Sequence, residues 1–278
     1  VTQVFKTNIY QESTPQIVSF GNGKKLAVWQ DADTDAVDDL CLYYSYYNGS
    51  AWSQPAKVYE DHMMDCQPYL TVIDDTPYVV WQNATRTFAD LEKLTLDTVK
   101  PHFDISVGKF QAETGTFAVS TIANQGLDMS PRLTGKDGAL YAVWVNAEDW
   151  FGKGTSSILS SRFDSTSWST PEQELTGKNA ITSIAADYHD GALHWAAAVD
   201  TDGDIQTTDD IRVMEDGAYV ADSGTAQTSP SYLDHDLYWY SNKNVVDREM
   251  DATEGCISPG QYQLLTVDGN RVLVYTES

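Results

Sequence analysis

The chain is 278 residues long and carries 41 acidic against 17 basic side chains, a formal net charge of −24. That balance excludes nucleic acid, whose affinity comes from Lys and Arg on phosphate, and works against an anionic membrane surface; no apolar run is long enough to insert across a bilayer. With 41% hydrophobic and 12% aromatic residues the chain can bury a real core, which sets it apart from disordered sequences.

In chain order, Val1 to Phe5 reads as the last strand of a repeat whose start lies elsewhere. The first full repeat then opens on Thr14-Pro15, followed by a short strand, the turn Gly21-Asn22-Gly23 and the apolar run Leu26-Ala27-Val28-Trp29-Gln30-Asp31. That run returns as Tyr78-Val79-Val80-Trp81-Gln82-Asn83 and as Tyr141-Ala142-Val143-Trp144-Val145-Asn146. Weaker copies are Ala196-Ala197-Ala198-Val199-Asp200 and Leu237-Tyr238-Trp239-Tyr240-Ser241-Asn242, aligned so that Ala198 and Tyr240 stand where the Trp stands. Each copy follows a polar turn, such as Asp74-Asp75, Lys136-Asp137-Gly138, His189-Asp190-Gly191 or Asp234-His235-Asp236. Such turns between apolar runs are hairpin signals. Most copies also follow an X-Pro connector: Gln67-Pro68, Ser130-Pro131 and Ser229-Pro230.

A third and a fourth strand complete every unit. In the last unit they are read as Tyr262–Val267 and Arg271–Tyr275. A unit of this kind cannot bury its own apolar face, so neighbouring copies must cover one another. The reading is all-β: one β-propeller domain over residues 1–278 with five four-stranded blades, Val1–Phe5 closing the ring against the last blade. The alternative is a six-bladed ring with part of it outside this chain. A helix is expected only over residues 88–96. The start at Val1 rather than Met reads as a mature product or an excised piece of a larger secreted or surface protein. Trp29, Trp81 and Trp144 recur at one repeat position and are assigned to packing.

Cys41, Cys66 and Cys256 have no CxxC or Cys/His metal spacing. They read as idle thiols, Cys41–Cys66 being the one pair the topology can bring together. The histidines, His62, His102, His189, His194 and His235, show no metal-pair spacing along the sequence.

Two turns between third and fourth strands carry a second repeat: Ser45-Tyr46-Tyr47-Asn48-Gly49-Ser50-Ala51-Trp52-Ser53-Gln54-Pro55 and Ser161-Arg162-Phe163-Asp164-Ser165-Thr166-Ser167-Trp168-Ser169-Thr170-Pro171. Both resemble the Asp-box of sialidase-type propellers of bacterial cell surfaces, Ser-x-Asp-x-Gly-x-Thr-Trp. The box is degenerate, with Tyr47 and Phe163 at the place of its Asp. The resemblance implies a propeller fold and places these turns away from the working face.

Propeller topology puts the loops after each second strand and the connectors before each first strand on one face. Function commonly sits on such loops, held by a rigid scaffold. Two of them are dense in carboxylates. Asp200, Asp202 and Asp204 are candidate ligands for Ca2+, with Asp31, Asp33 and Asp35 as a second set, since alternating acids can wrap a hard cation. Trp150 and Phe151 are candidate ligand-stacking aromatics. Arg86, Arg132 and Arg248 map to the same face, and the sialidase resemblance implies an arginine cluster that holds a carboxylate. Asp31, Asp65, Asp128 and Asp200 lie near strand ends there, as the acids of propeller glycosidases would.

These features point first to a non-catalytic, extracellular or cell-surface module of a bacterium. It would be a monomer that binds glycan or protein through the loop face. The alternatives are a glycoside hydrolase, sialidase-like or five-bladed, and a structural spacer.

Overall fold

A computed structural model of the protein describes residues 13–32, 40–87, 95, 98, 102–124, 126–149, 154–204, 206–220, 224–249, 252–253, 262–267 and 270–275. The expected closing strand Val1–Phe5, the expected helix apart from Thr95, the pair Trp150-Phe151, and Asp33, Asp35 and Cys256 lie outside the described residues. No helix among the described residues is long and apolar enough to cross a membrane. The chain forms two compact units, Val1–Ala142 with Ser161–Pro171, and Val143–Ser160 with Glu172–Ser278.

The first unit holds two complete repeats. Strands β1 (Gln16–Phe20), β2 (Lys24–Ala32), β3 (Leu40–Tyr47) and β4 (Ala56–Lys57) pair in that order. Strands β5 (Asp65–Ile73), β6 (Thr76–Ala84), β7 (Phe103–Gln111) and β8 (Thr116–Ile122) do the same. Strand β9 (Leu127–Lys136) joins β7 through a single parallel pairing, Phe103 opposite Leu127. Strands β10 (Ala139–Ala147) and β11 (Ser156–Phe163) are divided between the units. The second unit continues with β12 (Glu172–Lys178), paired to β11, and with β13 (Ile181–His189), β14 (Ala192–Val199), β15 (Arg212–Glu215) and β16 (Ala218–Tyr219), paired in order.

The last sheets differ from the sequence reading. Strands β17 (Gln227–Leu233), β18 (Asp236–Ser241), β19 (Asn244–Val246) and β20 (Ala252–Thr253) form the fifth four-stranded set. Strands β21 (Tyr262–Val267) and β22 (Asn270–Tyr275), expected as the outer strands of that set, instead form a two-stranded sheet of their own. The short Asn242-Lys243 turn, with φ of 48° and 67°, returns the chain at once into β19 and takes the outer places first.

The hairpins follow the turn chemistry of their residues. Asp74-Asp75 (φ 48° and 59°) and Asp234-His235 (φ 50° and 72°) place both central residues in the left-handed region. This is the turn whose twist matches paired strands, and Asp and Asn tolerate it best among non-glycine residues. The residue before the connector proline is also left-handed in three repeats: Gln67 (φ 50°), Ser130 (φ 53°) and Ser229 (φ 53°). Pairing slips by a residue at two of these places, between Cys66 and Tyr69 and between Thr228 and Ser231. These are bulges, which re-aim the strand locally. At the left-handed Ser130 the N–H donates to Gln67 Oε1 of the preceding repeat, at 2.6 Å.

The tryptophans anchor the packing between repeats. Trp81 is wholly buried, in a cluster with Leu26, Val28, Leu42 and Tyr44 of the preceding repeat. Trp29 and Trp144 are buried as well. Asp65 faces Asn83, and Gln227 faces Ser241. The residue two places earlier is Trp81 in one case and Trp239 in the other, so Trp239, not Tyr240, holds the repeat position. Ile181 faces Val199, which by the same count gives that position to Ala197 rather than Ala198. Trp239 packs on Ala196, Ala198 and Val213 of its preceding repeat, with the alanines making room for the indole.

The two box-like turns are superposable in their bonding. Ser45 Oγ donates to Ser53 O and Ser161 Oγ to Ser169 O, both at 2.8 Å. Tyr47 and Phe163, standing where an Asp-box has its Asp, pack at a tilt against Trp52 and Trp168. The turn-holding role moves to the next residue. Asn48 Oδ1 accepts from the Ser50 and Ala51 amides, and Asp164 Oδ1 from those of Thr166 and Ser167. Cys41 and Cys66 are free thiols, and burial pushes the Cys66 thiol up to about 12.

Candidate functional site

The loop-face end of the second repeat gathers carboxyl groups within the first unit. Pairing sets Asp65, Asn83 and Asp104 side by side across β5, β6 and β7. Asp128, at the start of β9, lies next to the Phe103–Leu127 pairing. Asp61, in the connector before β5, accepts from Asn83 Nδ2 at 3.2 Å and from the Met63 amide at 3.0 Å. Asn124 ties the row together, its amide donating to Asp104 Oδ1 and its side chain to Asp128 Oδ1, both at 3.2 Å. Gln30 and Gln82, each just before the last polar residue of its Trp strand, donate to the carbonyls of Asp65 and Asp128 at 2.9 and 2.6 Å.

Asp65 is the distinctive member. Its Oδ1 accepts the indole N–H of Trp81 at 2.5 Å, and its Oδ2 accepts the Leu42 amide at 3.2 Å. Burial nevertheless pushes its carboxyl up to about 7, and the charge of Asp61 adds to the rise. Desolvation outweighs the two hydrogen bonds because it acts on the whole charged form. Burial raises Asp104 as well, against the bond from Asn124. The group therefore contains one carboxyl that keeps part of its protonation up to neutral pH, beside the partly exposed Asp61. Asp65 also has a packing role. Gln227, at its repeat position, accepts the Val213 amide at 2.9 Å just as Asp65 accepts that of Leu42.

The other expected site residues are placed as follows. Asp31, Asp65, Asp128 and Asp200 are all buried, at no more than 3% exposure. Arg86 is exposed. Arg132 stacks over Tyr69, with 4.9 Å from its guanidinium carbon to the ring centre, and donates to the Pro131 carbonyl at 2.8 Å. Arg248, in the second unit, forms an ion pair with Glu215. Arg132 is thus engaged by a ring of the preceding repeat and a carbonyl of its own, and Arg248 by a carboxylate of the preceding repeat.

The acidic loop after β14 is ordered by its own carboxylates. Asp200 Oδ1 accepts the Asp202 and Gly203 amides at 3.0 and 2.9 Å. Asp210 Oδ2 accepts the Thr201 and Asp202 amides at 3.2 and 2.9 Å. Asp200 Oδ2 and Asp210 Oδ1 are buried and accept no hydrogen bond. Asp200, Asp202 and Asp210 each present an oxygen within 4.8 Å of the others. Asp210 takes the place expected for Asp204, whose Oδ1 instead receives the Gln206 amide.

An apolar groove opens elsewhere in the first unit, lined by Tyr78, Val119, Leu140, Phe163 and Trp168. The Trp168 indole is held there by Ser120 Oγ at 2.9 Å.

No protein-family model matches the sequence, and no curated protein matches it. Among solved structures the chain is similar to the GH93 α-L-arabinofuranosidase of Fusarium graminearum in complex with arabinobiose. Identity is 11%, the TM-score is 0.59, and the match covers 95% of this chain and 87% of that one. It is also similar to a variant of B. megaterium levansucrase, at 11% identity and a TM-score of 0.50, over 96% of this chain and 84% of that one. The fold is all-β and similar to that of these β-propeller structures. A Trypanosoma rangeli sialidase is similar at 14% identity and a TM-score of 0.45, over 93% of this chain and 43% of that one.

Proposed function

We propose that the protein is a glycoside hydrolase acting on furanoside or related glycans from the loop face of its first unit. The observation that carries this reading is Asp65, a carboxyl held near 7 beside the partly exposed Asp61. Acids whose environments push their titrations apart are what acid–base chemistry on a glycosidic bond requires. In this reading Asp65 gives its proton to the leaving oxygen. Asp61 takes a proton from the water whose oxygen ends on the anomeric carbon. Asp104 and Asp128 complete the polar wall. The fold likeness to an arabinofuranosidase and a levansucrase agrees with it.

A binding module without turnover is the second reading. It is favoured by the burial of Asp31, Asp65, Asp128 and Asp200 and by the groove at the half-buried Trp168, since an indole face lining a groove suits a sugar ring. Aryl α-L-arabinofuranoside, aryl xyloside, aryl sialoside and sucrose are the substrates to try, alongside a glycan array. Turnover lost in Asp61→Asn and Asp65→Asn, with circular dichroism unchanged, supports the hydrolase. Glycan retention lost in Trp168→Ala without any turnover supports the binding module and overturns it.

We also propose Ca2+ at Asp200, Asp202 and Asp210. Two buried carboxylate oxygens without donors, in a set of three acids, suit a hard cation. Finally, we read β21 and β22 as the inner pair of a sixth repeat. Thr266 donates to Asp234 Oδ2 at 2.8 Å, turn to turn, as the Asp137 and Gly138 amides donate to Asp74. The hairpin thus stands to the fifth repeat as the third stands to the second.

A further inference from the structure

The hairpins of the fourth and fifth repeats, both in the second unit, bring together His189, His194 and His235, three of the chain's five histidines. Asp187 Oδ2 lies 2.9 Å from His189 Nδ1 and 2.7 Å from His235 Nδ1. One carboxylate oxygen is therefore flanked by two imidazole nitrogens, and all three atoms fall within 4.8 Å of one another. The side chains of Asp187 and His189 are 19% and 22% exposed, and that of His235 is 51% exposed. The cluster is thus open on one side and packed on the other.

The packed side is built to hold the His189 ring. His194 stacks on it, with ring centres 3.9 Å apart and planes 17° from parallel. Asp216 fixes His194 in turn, taking its Nδ1 at 2.7 Å and the Trp195 amide at 3.0 Å. The stack fixes the plane of the His189 ring and so the direction its nitrogens face. Nothing in the strand packing requires histidine at these two places; the corresponding turns of the first three repeats are Gly21-Asn22-Gly23, Asp74-Asp75 and Lys136-Asp137-Gly138.

We propose that Asp187, His189 and His235 bind one divalent transition-metal ion of the zinc class, with its fourth position open to solvent. Two imidazoles and a carboxylate suit zinc, nickel or copper rather than calcium, which takes six or more oxygens. Tetrahedral zinc, at about 2.0–2.1 Å from each ligand, sets ligand atoms roughly 3.3 Å apart. The nitrogens now sit about half an ångström closer to the carboxylate than that. Metal entry displaces the protons between them and spreads the two turn tips slightly. The ion joins the β13–β14 hairpin to the β17–β18 hairpin and leaves one position for water or an exogenous ligand.

The test is a Co(II) titration of the full chain followed by visible absorption, with Zn(II) as competitor. Saturable binding at one equivalent is expected. His189→Ala and His235→Asn should each weaken it at least tenfold; Asn tolerates the left-handed turn that His235 occupies, so the hairpin is kept. His62→Ala should leave affinity unchanged. Melting temperatures in chelator must match the parent for the two cluster variants; should one differ, Asp187→Asn replaces it. Absence of saturable binding overturns the proposal, and so does an affinity within twofold of the parent in both cluster variants.

Discussion

The indole N–H of Trp81 donates to Asp65 Oδ1 at 2.5 Å, joining the tryptophan of one repeat to the acid that opens it. The same acid reaches back to the Leu42 amide of the preceding repeat. This one carboxyl therefore binds strand, core and neighbour. At Trp239 the equivalent position holds Gln227, and the buried indole N–H makes no hydrogen bond.

That contrast predicts unequal costs for equal mutations. Trp81→Ala and Trp239→Ala should each lose about 3–5 kcal/mol, as large core aromatics do. Trp81→Phe should cost about 1–3 kcal/mol more than Trp239→Phe, because it strands a buried acceptor as well as removing volume. Urea melts of the four variants read this directly. Equal losses for the two Phe variants would remove any energetic role from the Trp81–Asp65 bond.

The pH dependence of Asp65 has a definite sign. Its carboxyl titrates near 7 in the fold, against 3.8 when free. A raised value means that the protonated form is favoured by folding. The contribution is present in full below about pH 4 and is lost as pH rises toward about 7. At 1.36 kcal/mol per unit the loss is about 4 kcal/mol. Asp65→Asn keeps an acceptor and removes the titration. Its stability relative to the parent should therefore rise between pH 4 and pH 8. A difference that stays constant with pH would place the Asp65 titration in the ordinary carboxylate range.

The acidic loop after β14 gives a prediction in calcium. Saturating Ca2+, at about a hundred times its dissociation constant, should stabilise the chain by roughly 2.7 kcal/mol. The melting temperature should rise accordingly and fall back in chelator. Asp210→Asn should abolish the shift and Asp204→Asn should keep it, because Asp210 belongs to the three-acid set and Asp204 holds the Gln206 amide. A melting temperature indifferent to calcium and chelator counts against the site.

How much of this was legible in the sequence depends on the length scale. The hairpin turns, the X-Pro connectors and the buried tryptophans are written in short-range patterns, and those patterns held. The outer strands of the fifth repeat were not legible. Asn244–Val246 and Ala252–Thr253 are too short to show a period, while Tyr262–Val267 is a longer run rich in apolar residues and reads as a strand. The alignment to Tyr240 rather than Trp239 failed because a register is fixed by strand pairing, not by the residue that closes a motif. Asp61 and Asp210 were missed because loop closure, not spacing, brings them to their partners. The histidine cluster had a signal that spacing along the chain hides. His189 and His235 both belong to the turns between first and second strands of successive repeats, and equivalent turns of adjacent repeats bond to one another elsewhere, as Asp74 does to Asp137.

The two box-like turns supply a controlled comparison for the last prediction. Both are closed by the residue after the third position, an amide at Asn48 and a carboxylate at Asp164. The Thr166 hydroxyl, then the Ser167 and Thr166 amides, hold the Asp164 carboxyl down to about 2. A depressed value means that the charged form is favoured by folding, so its contribution is present above about pH 4 and is lost as pH falls through about 2. Asn48 does not titrate. Amide hydrogen exchange at Thr166 and Ser167, corrected for its intrinsic pH dependence, should therefore lose protection between pH 4 and pH 2, while exchange at Ser50 and Ala51 does not. Asp164→Asn should make the second turn behave like the first. Loss of protection in both turns together would point to global acid unfolding rather than to Asp164, and the variant would then unfold at the same pH as the parent.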